Sequence, residues 1–140
     1  MFKSIVVAVD PEQPSSSEKA LPAAASLAKL HGARLTVASV VPDIRAMIKA
    51  EWSLIAFREL METAQLKVAS LLDRYPDAHG AKVEVLCGNI WRTIIRIAER
   101  AEADLIVLAS HRPEMKDYLI GANASRVVRH AGCSVMVVRD

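Results

Sequence analysis

The sequence predicts an α/β fold: a doubly wound, five-stranded parallel sheet with helices on both faces. Three observations carry this. Short apolar runs of strand length alternate with longer stretches of helical period along the whole chain. The 140 residues suit a single domain, 1–140, large enough to bury a core of its own. Hydrophobic residues make up 52% of the chain and aromatic residues only 4%, so that core is aliphatic, as parallel strands covered on both faces require.

Each element can be justified in order. The run KSIVVAVD (Lys3–Asp10) is β-branched and ends on an acid, which makes it strand one. PEQPSSS is a turn-rich loop. SEKALPAAASLAKLHG has helical spacing, with Ser16 or Ser17 as N-cap and Gly32 as the stop. Pro22 falls either in its first turn or at a kink. ARLTVASVV is strand two, closed by Pro42, and from Asp43 to about Ala50 no period stands out. EWSLIAFRELMETAQLKVASLLDRY is a long amphipathic helix with Leu54, Phe57, Leu60, Met61, Ala64, Val68, Leu71 and Leu72 on one face. PDAHGA breaks it. KVEVLCG, ending at Gly88, is strand three. IWRTIIRIAERAEA is a helix with Trp91, Ile94, Ile95 and Ala98 on one face, and DLIVLAS is strand four. ANASRVVRHAG is a short helix stopped by Gly132, and CSVMVVRD is strand five.

Strands alternating with helices, joined by right-handed crossovers, suggest a doubly wound sheet order such as 3-2-1-4-5. In that order the winding reverses between strands one and four. Ligands of such sheets bind beyond the carboxyl ends of the strands at this switch point. Asp10 and the segment from Ala109 onward therefore share one crevice.

Composition excludes several classes. The net charge is +2, without a Lys/Arg block or interleaved aromatics, which argues against a nucleic-acid partner. The apolar runs are too short to span a bilayer, and MFKSIVVAVD reads directly as a strand, so no membrane partner and a cytoplasmic location are expected. Cys87 and Cys133 sit in separate strands without metal-ligand spacing and read as small buried hydrophobes. There is no Gly-x4-Gly-Lys-Ser/Thr loop, no Gly-x-Gly-x-x-Gly after strand one and no nucleophile elbow. No carboxylate pair or Cys/His pair has a catalytic arrangement. A binding site is expected, with no catalytic residue and no protein-held metal.

The stretch SHRPEMKDYLIGANASRVVRHAG carries that expectation. It joins strands four and five through a loop longer than a plain βα connection needs. Gly121 lets backbone approach a ligand, and Ala122, Asn123 and Ala124 are expected to open a helix whose first N–H groups make an anion site. Ser110, His111 and Arg112 offer donors to phosphate or ribose, Arg112 the strongest because it is always charged. On spacing alone GANAS also fits a plain capped helix start. Asp10 either accepts from a ribose or an amine, or caps its own loop. Arg126, Arg129 and His130 read as a solvated helix face, and Trp52 and Trp91 as packing residues.

Four blocks, IVVAVDPEQPSSSEKALPAAASLA, LTVASVV, ADLIVLASHR and LIGANASRVVRHAGCSVMVVR, resemble a single-domain universal stress protein over essentially the full length. The last block, read with ASHRP, is most similar to the F/G-type branch. The resemblance implies an adenine-nucleotide ligand, ATP or ADP/AMP, with or without Mg²⁺. It implies that Ala8, Val9 and Asp10 border adenine and ribose, that Val40 meets the adenine edge through its backbone, and that Leu108, Ala109, Ser110, His111 and Arg112, with Gly121, Ala122, Asn123 and Ala124, line ribose and phosphates. It implies a homodimer through the strand Cys133–Arg139, a role in stress response or signalling, and at most slow ATP hydrolysis.

Nucleotide-binding members carry Gly, two residues, Gly, nine residues, Gly, then Ser or Thr. Here Ala109 and Arg112 replace the first two glycines, eight residues separate Arg112 from Gly121, and Ala122 replaces the hydroxyl residue. That leaves two alternatives to ATP binding: a dimer of the same fold that contacts partners without nucleotide, or a weak ATPase. An enzyme of the wider nucleotide-binding α/β class would need a Ser-Gly-Gly or His-containing loop after strand one, and DPEQPSSS has neither.

Overall fold

A computed structural model describes residues 1–43, 54–110 and 119–139. Its strands are β1 (Ser4–Ala8), β2 (Arg34–Pro42), β3 (Lys82–Gly88), β4 (Leu105–Ser110) and β5 (Ser134–Arg139). The helices are α1 (Pro14–His31), α2 (Leu54–Leu72), α3 (Ile90–Arg100) and α4 (Leu119–His130), with a 3₁₀ turn at Pro76–Ala78. Among the described residues the strands form one five-stranded sheet, order β3-β2-β1-β4-β5, every pair parallel. The predicted topology is the observed one, and the switch point lies between β1 and β4.

Alternation along the strands sorts the core into two layers. Ile5, Val7, Val37, Leu105 and Val107 pack under α1 and the end of α2. Val6, Ala38, Ile106 and Leu108 pack under α3 and α4, against Ile94, Ile97, Ala98, Ala124 and Val127. Trp91 of α3 stacks on His130 of α4, ring centroids 4.8 Å apart, with the Arg92 guanidinium 5.1 Å from the Trp91 ring. That stack ties the two helices of this layer together.

Several boundaries differ from the sequence reading. Helix α1 starts at Pro14, with Gln13 as N-cap, and not after Ser16 or Ser17. Proline suits the first helical turn, where its missing N–H is not needed. Both serines are instead buried in the helix. The helix runs through Pro22 without a break and ends at Gly32, whose left-handed φ of 63° and N–H to the Ala28 and Lys29 carbonyls make a C-cap. In α3, Asn89 Oδ1 accepts from the Arg92 N–H at 3.2 Å as an N-cap. Its buried residues are Thr93, Ile94, Ile97 and Ala98, which leaves Trp91 and Ile95 half-buried. Helix α2 buries only Val68, Leu71 and Leu72; Leu54 and Phe57, placed on the apolar face by their spacing, are exposed. Helix α4 includes Leu119 and Ile120, so Gly121 lies inside its first turn and does not precede it. Trp52 and the stretch from Ile44 to Ala50 lie outside the described residues.

The amino end of the sheet is closed by hydrogen bonds. The Asp104 carboxylate accepts from the Lys3 N–H at 2.9 Å and from the Ser4 N–H at 3.1 Å. The Ser4 hydroxyl donates to the Ala101 carbonyl at 2.8 Å. Glu84, with a side chain only 10% exposed, is paired with Arg100 at 3.0 Å.

Candidate functional site

Beyond the last ladder bonds at the carboxyl end, β1 continues through Val9, whose N–H still donates to the Ala38 carbonyl at 2.8 Å. Ala8 and Ala38 are register partners on adjacent strands. Two methyl side chains side by side leave a depression where larger residues would fill the sheet surface. Val40 and Leu108 flank it, Ile90 and Ile94 of α3 wall one side, and Asn123 and Ala124 of α4 wall the other. Asp10 stands at the rim. The floor is apolar and the rim polar, the usual composition of a small-molecule site. The enclosed volume is about 40 Å³, so a ligand larger than a water molecule or two lies across this floor and not within it.

The electrostatics follow from the helices. Both α3 and α4 begin at this edge and are directed away from it, so the positive ends of two helix dipoles converge on the cleft. The first four N–H groups of a helix have no partner within it. Counted from Leu119, those amides run to Ala122; the amides of Asn123 and Ala124 fall within reach of carbonyls of their own helix. The Asp10 carboxylate accepts from the Glu12 N–H at 3.0 Å, its N–H donates to Ser16 Oγ at 3.4 Å, and its carbonyl accepts from Gln13 N–H at 2.9 Å. Asp10 therefore caps its loop, one of the two roles its position allowed, and this fixes the carboxylate at the rim.

A larger cavity, about 690 Å³, opens at the amino ends of the strands, among Ser4, Lys29, Arg34, Thr36, Lys82 and Arg100. Volume favours it and chemistry does not. It lies where α1 and α3 end, and helix C-termini present carbonyls that repel anions. Its cations are already engaged in part: Arg100 with Glu84, and Arg34 with the Ala101 carbonyl at 3.4 Å. The cleft at the switch point is the better-built site.

Of the residues singled out from sequence, Ala8, Val9, Asp10, Val40, Leu108, Asn123 and Ala124 all line the cleft. Ala109 packs in the opposite layer, under α1, while Ser110 is half-buried at the end of β4 and Ala122 is exposed on α4. Gly121 is the third residue of α4. His111 and Arg112 lie outside the described residues. Ala38, Ile90 and Ile94 also line the cleft and were not singled out. Ala38 follows from strand register with Ala8. Ile90 and Ile94 follow from Asn89, whose capping role starts α3 at this edge.

The thiols are not part of the site. Cys133 is half-buried, and burial, followed by the nearby Asp104 charge, pushes its thiol pKa up, which keeps it protonated and a poor nucleophile near neutrality. Among the described residues no helix is long and apolar enough to cross a membrane.

Residues 1–139 match the family model described as Universal stress protein family. Universal stress protein G of Salmonella typhimurium is 29% identical over 143 residues, covering 99% of this chain and all of that protein. The structure of universal stress protein UspA from Lactobacillus plantarum is 28% identical, with a TM-score of 0.66 over 99% of this chain and 98% of that one. A crystal structure of a universal stress protein in complex with cAMP superposes with a TM-score of 0.72 at 17% identity, covering 98% and 97%.

Proposed function

The chain belongs to the universal stress protein family, and from that premise we propose that it binds an adenine nucleotide, ATP or the related ADP and AMP, across the switch-point cleft. The observation that carries this reading is an apolar floor of two paired alanines between the walls of α3 and α4, with a fixed carboxylate at its rim. The adenine ring lies over Ala8 and Ala38, edge-on to the backbone at Val40. Asp10 accepts from a ribose hydroxyl. The phosphates run toward the start of α4, with Ser110, His111, Arg112, Gly121 and Ala122 as their partners. Arg112 replaces the bare glycine backbone of the family's usual motif with a permanent positive charge. A protein of the same fold has been crystallised with cAMP, which agrees with the ligand class.

Mg²⁺ would be carried on the phosphates, the usual mode for this ion. Among the described residues no group of three His, Cys, Asp or Glu side chains is placed to hold a metal. The nucleotide acts as a ligand in stress response or signalling, in the cytoplasm. Two copies pair through β5, an edge strand bonded only to β4 among the described strands, whose Met136 is 37% exposed.

The experiment is titration of the purified protein with ATP and Mg²⁺ by calorimetry, after mass spectrometry of any small molecule released on denaturation. Bound or tightly titrating adenine nucleotide supports the reading. Absence of both heat and a released adenine compound overturns it in favour of a dimer that works without nucleotide. Arg112→Ala is expected to weaken ATP about tenfold or more and adenosine little; equal losses for both would remove Arg112 from the phosphates.

A further inference from the structure

The solvent face of α2 is the least explained surface of the protein. Leu54 is 86% exposed, and Ile55 and Leu66 are each 69% exposed. Single exposed leucines are ordinary, but these share one helix with unpartnered opposite charges. Arg58, Glu62 and Leu66 line a groove of about 470 Å³ between α2 and Val85 of β3, the sheet edge opposite β5. Leu54 lies one turn before Arg58, so Leu54, Arg58, Glu62 and Leu66 form a single row at four-residue spacing. Among the described residues neither Arg58 nor Glu62 takes part in an ion pair.

This row is self-complementary. We propose that α2 pairs antiparallel with α2 of a second copy, about a two-fold axis that crosses the row midway between Arg58 and Glu62, at the height of residue 60 but on the face opposite its side chain. In an isologous contact, if one residue meets another across the axis, the reciprocal contact also forms. About this axis, Arg58 meets Glu62 and Glu62 meets Arg58, while Leu54 meets Leu66 at each end. Two ion pairs and two apolar pairs form at once. The parallel arrangement would set arginine against arginine and glutamate against glutamate, so charge selects the antiparallel one. The contact uses no residue of the nucleotide cleft and lies on the sheet edge away from β5. It is a second self-association surface, independent of the function proposed above.

The test is sedimentation velocity of the full chain over a concentration series. The wild-type protein is expected to show an association step that R58E alone, or E62R alone, moves to about tenfold higher concentration. Mixing R58E with E62R protein is expected to restore the step, because each variant then meets the opposite charge on its partner. The double variant R58E/E62R restores it as well. Absence of any concentration-dependent step, singles that leave it unmoved, or a mixture that stays as weak as its components would each overturn the proposal. A face covered by another part of the same chain gives the second of these outcomes, because pairing through β5 would supply a step of its own. ATP calorimetry on the same samples reads the cleft separately, so failure of one reading leaves the other intact.

Discussion

The two ends of the sheet are built on opposite terms. At the amino end a set of polar groups is paired: Asp104 holds the Lys3 and Ser4 amides, Ser4 holds the Ala101 carbonyl, and Arg100 holds the buried Glu84. At the carboxyl end Ala8 and Ala38 face each other across β1 and β2, α3 and α4 begin, and α1 starts after Gln13 without a side-chain cap. The Ser17 hydroxyl, fully buried in the second turn of α1, has no hydrogen-bond partner. One end is stitched shut and carries stability. The other keeps exposed donors and an open floor, which a ligand can use and a well-satisfied surface cannot. The larger cavity lies at the stitched end.

Substitutions can break or sharpen this contrast, and the largest effect is expected at the open end. Ala8→Leu fills the depression between β1 and β2 with a side chain that points into the cleft. It should lower ATP affinity about a hundredfold or more, equivalent to about 2.7 kcal/mol, while unfolding free energy falls by about 1–3 kcal/mol, the usual cost of overpacking. Calorimetry and urea titration on one sample separate the two; retained affinity would move the base off this floor. Ser4→Ala should do the reverse, costing about 1 kcal/mol of stability through the lost bond to Ala101 and leaving nucleotide affinity unchanged.

Asp104 gives the stitched end a pH dependence. The Lys3 amide, and then the Ser4 amide, hold its carboxyl below the ordinary carboxylate range, against a partial desolvation effect that raises it. A carboxylate lowered on folding stabilises the fold at all pH values above its unfolded pKa, about 4, and that stabilisation is lost as pH falls through the folded value. Asp104→Asn should therefore lower stability at neutral pH and flatten the fall below about pH 4, as thermal melts across that range would show. An unchanged acid limb would mean that other carboxylates set it. The smallest effect is expected from Ser17→Ala. Removing an unpartnered buried hydroxyl should leave stability unchanged or raise it by about 0.5–1 kcal/mol. A loss above about 1 kcal/mol would mean that the hydroxyl is bonded in solution.

What was legible in the sequence divides along similar lines. Alternation and handedness narrow the sheet to a few doubly wound orders, and the suggested 3-2-1-4-5 is the observed one. Helix edges were harder where two signals competed. Ser16 and Ser17 looked like caps, but Pro14 already suited the first turn, and the serines went inside. Spacing shows which face of α2 is apolar but not what covers it: the core takes Val68, Leu71 and Leu72, with Met61 and Ala64 packed against it, and leaves Leu54 and Phe57 exposed. In the site, the strand-end residues were readable because a sheet fixes where its ends lie. Ala38 and Ile90 were not, because each depends on a neighbour: the strand paired with β1 and the cap that places α3.

The contact between Trp91 and His130 gives the fold an optical reporter. Trp91 follows Ile90, a wall of the cleft, and its indole lies against an imidazole carried by the helix on the other side. Any event that spreads or closes those two walls changes what the indole touches, and so its emission. With Trp52 replaced by Phe, the remaining fluorescence would follow the separation of the walls directly, without a label.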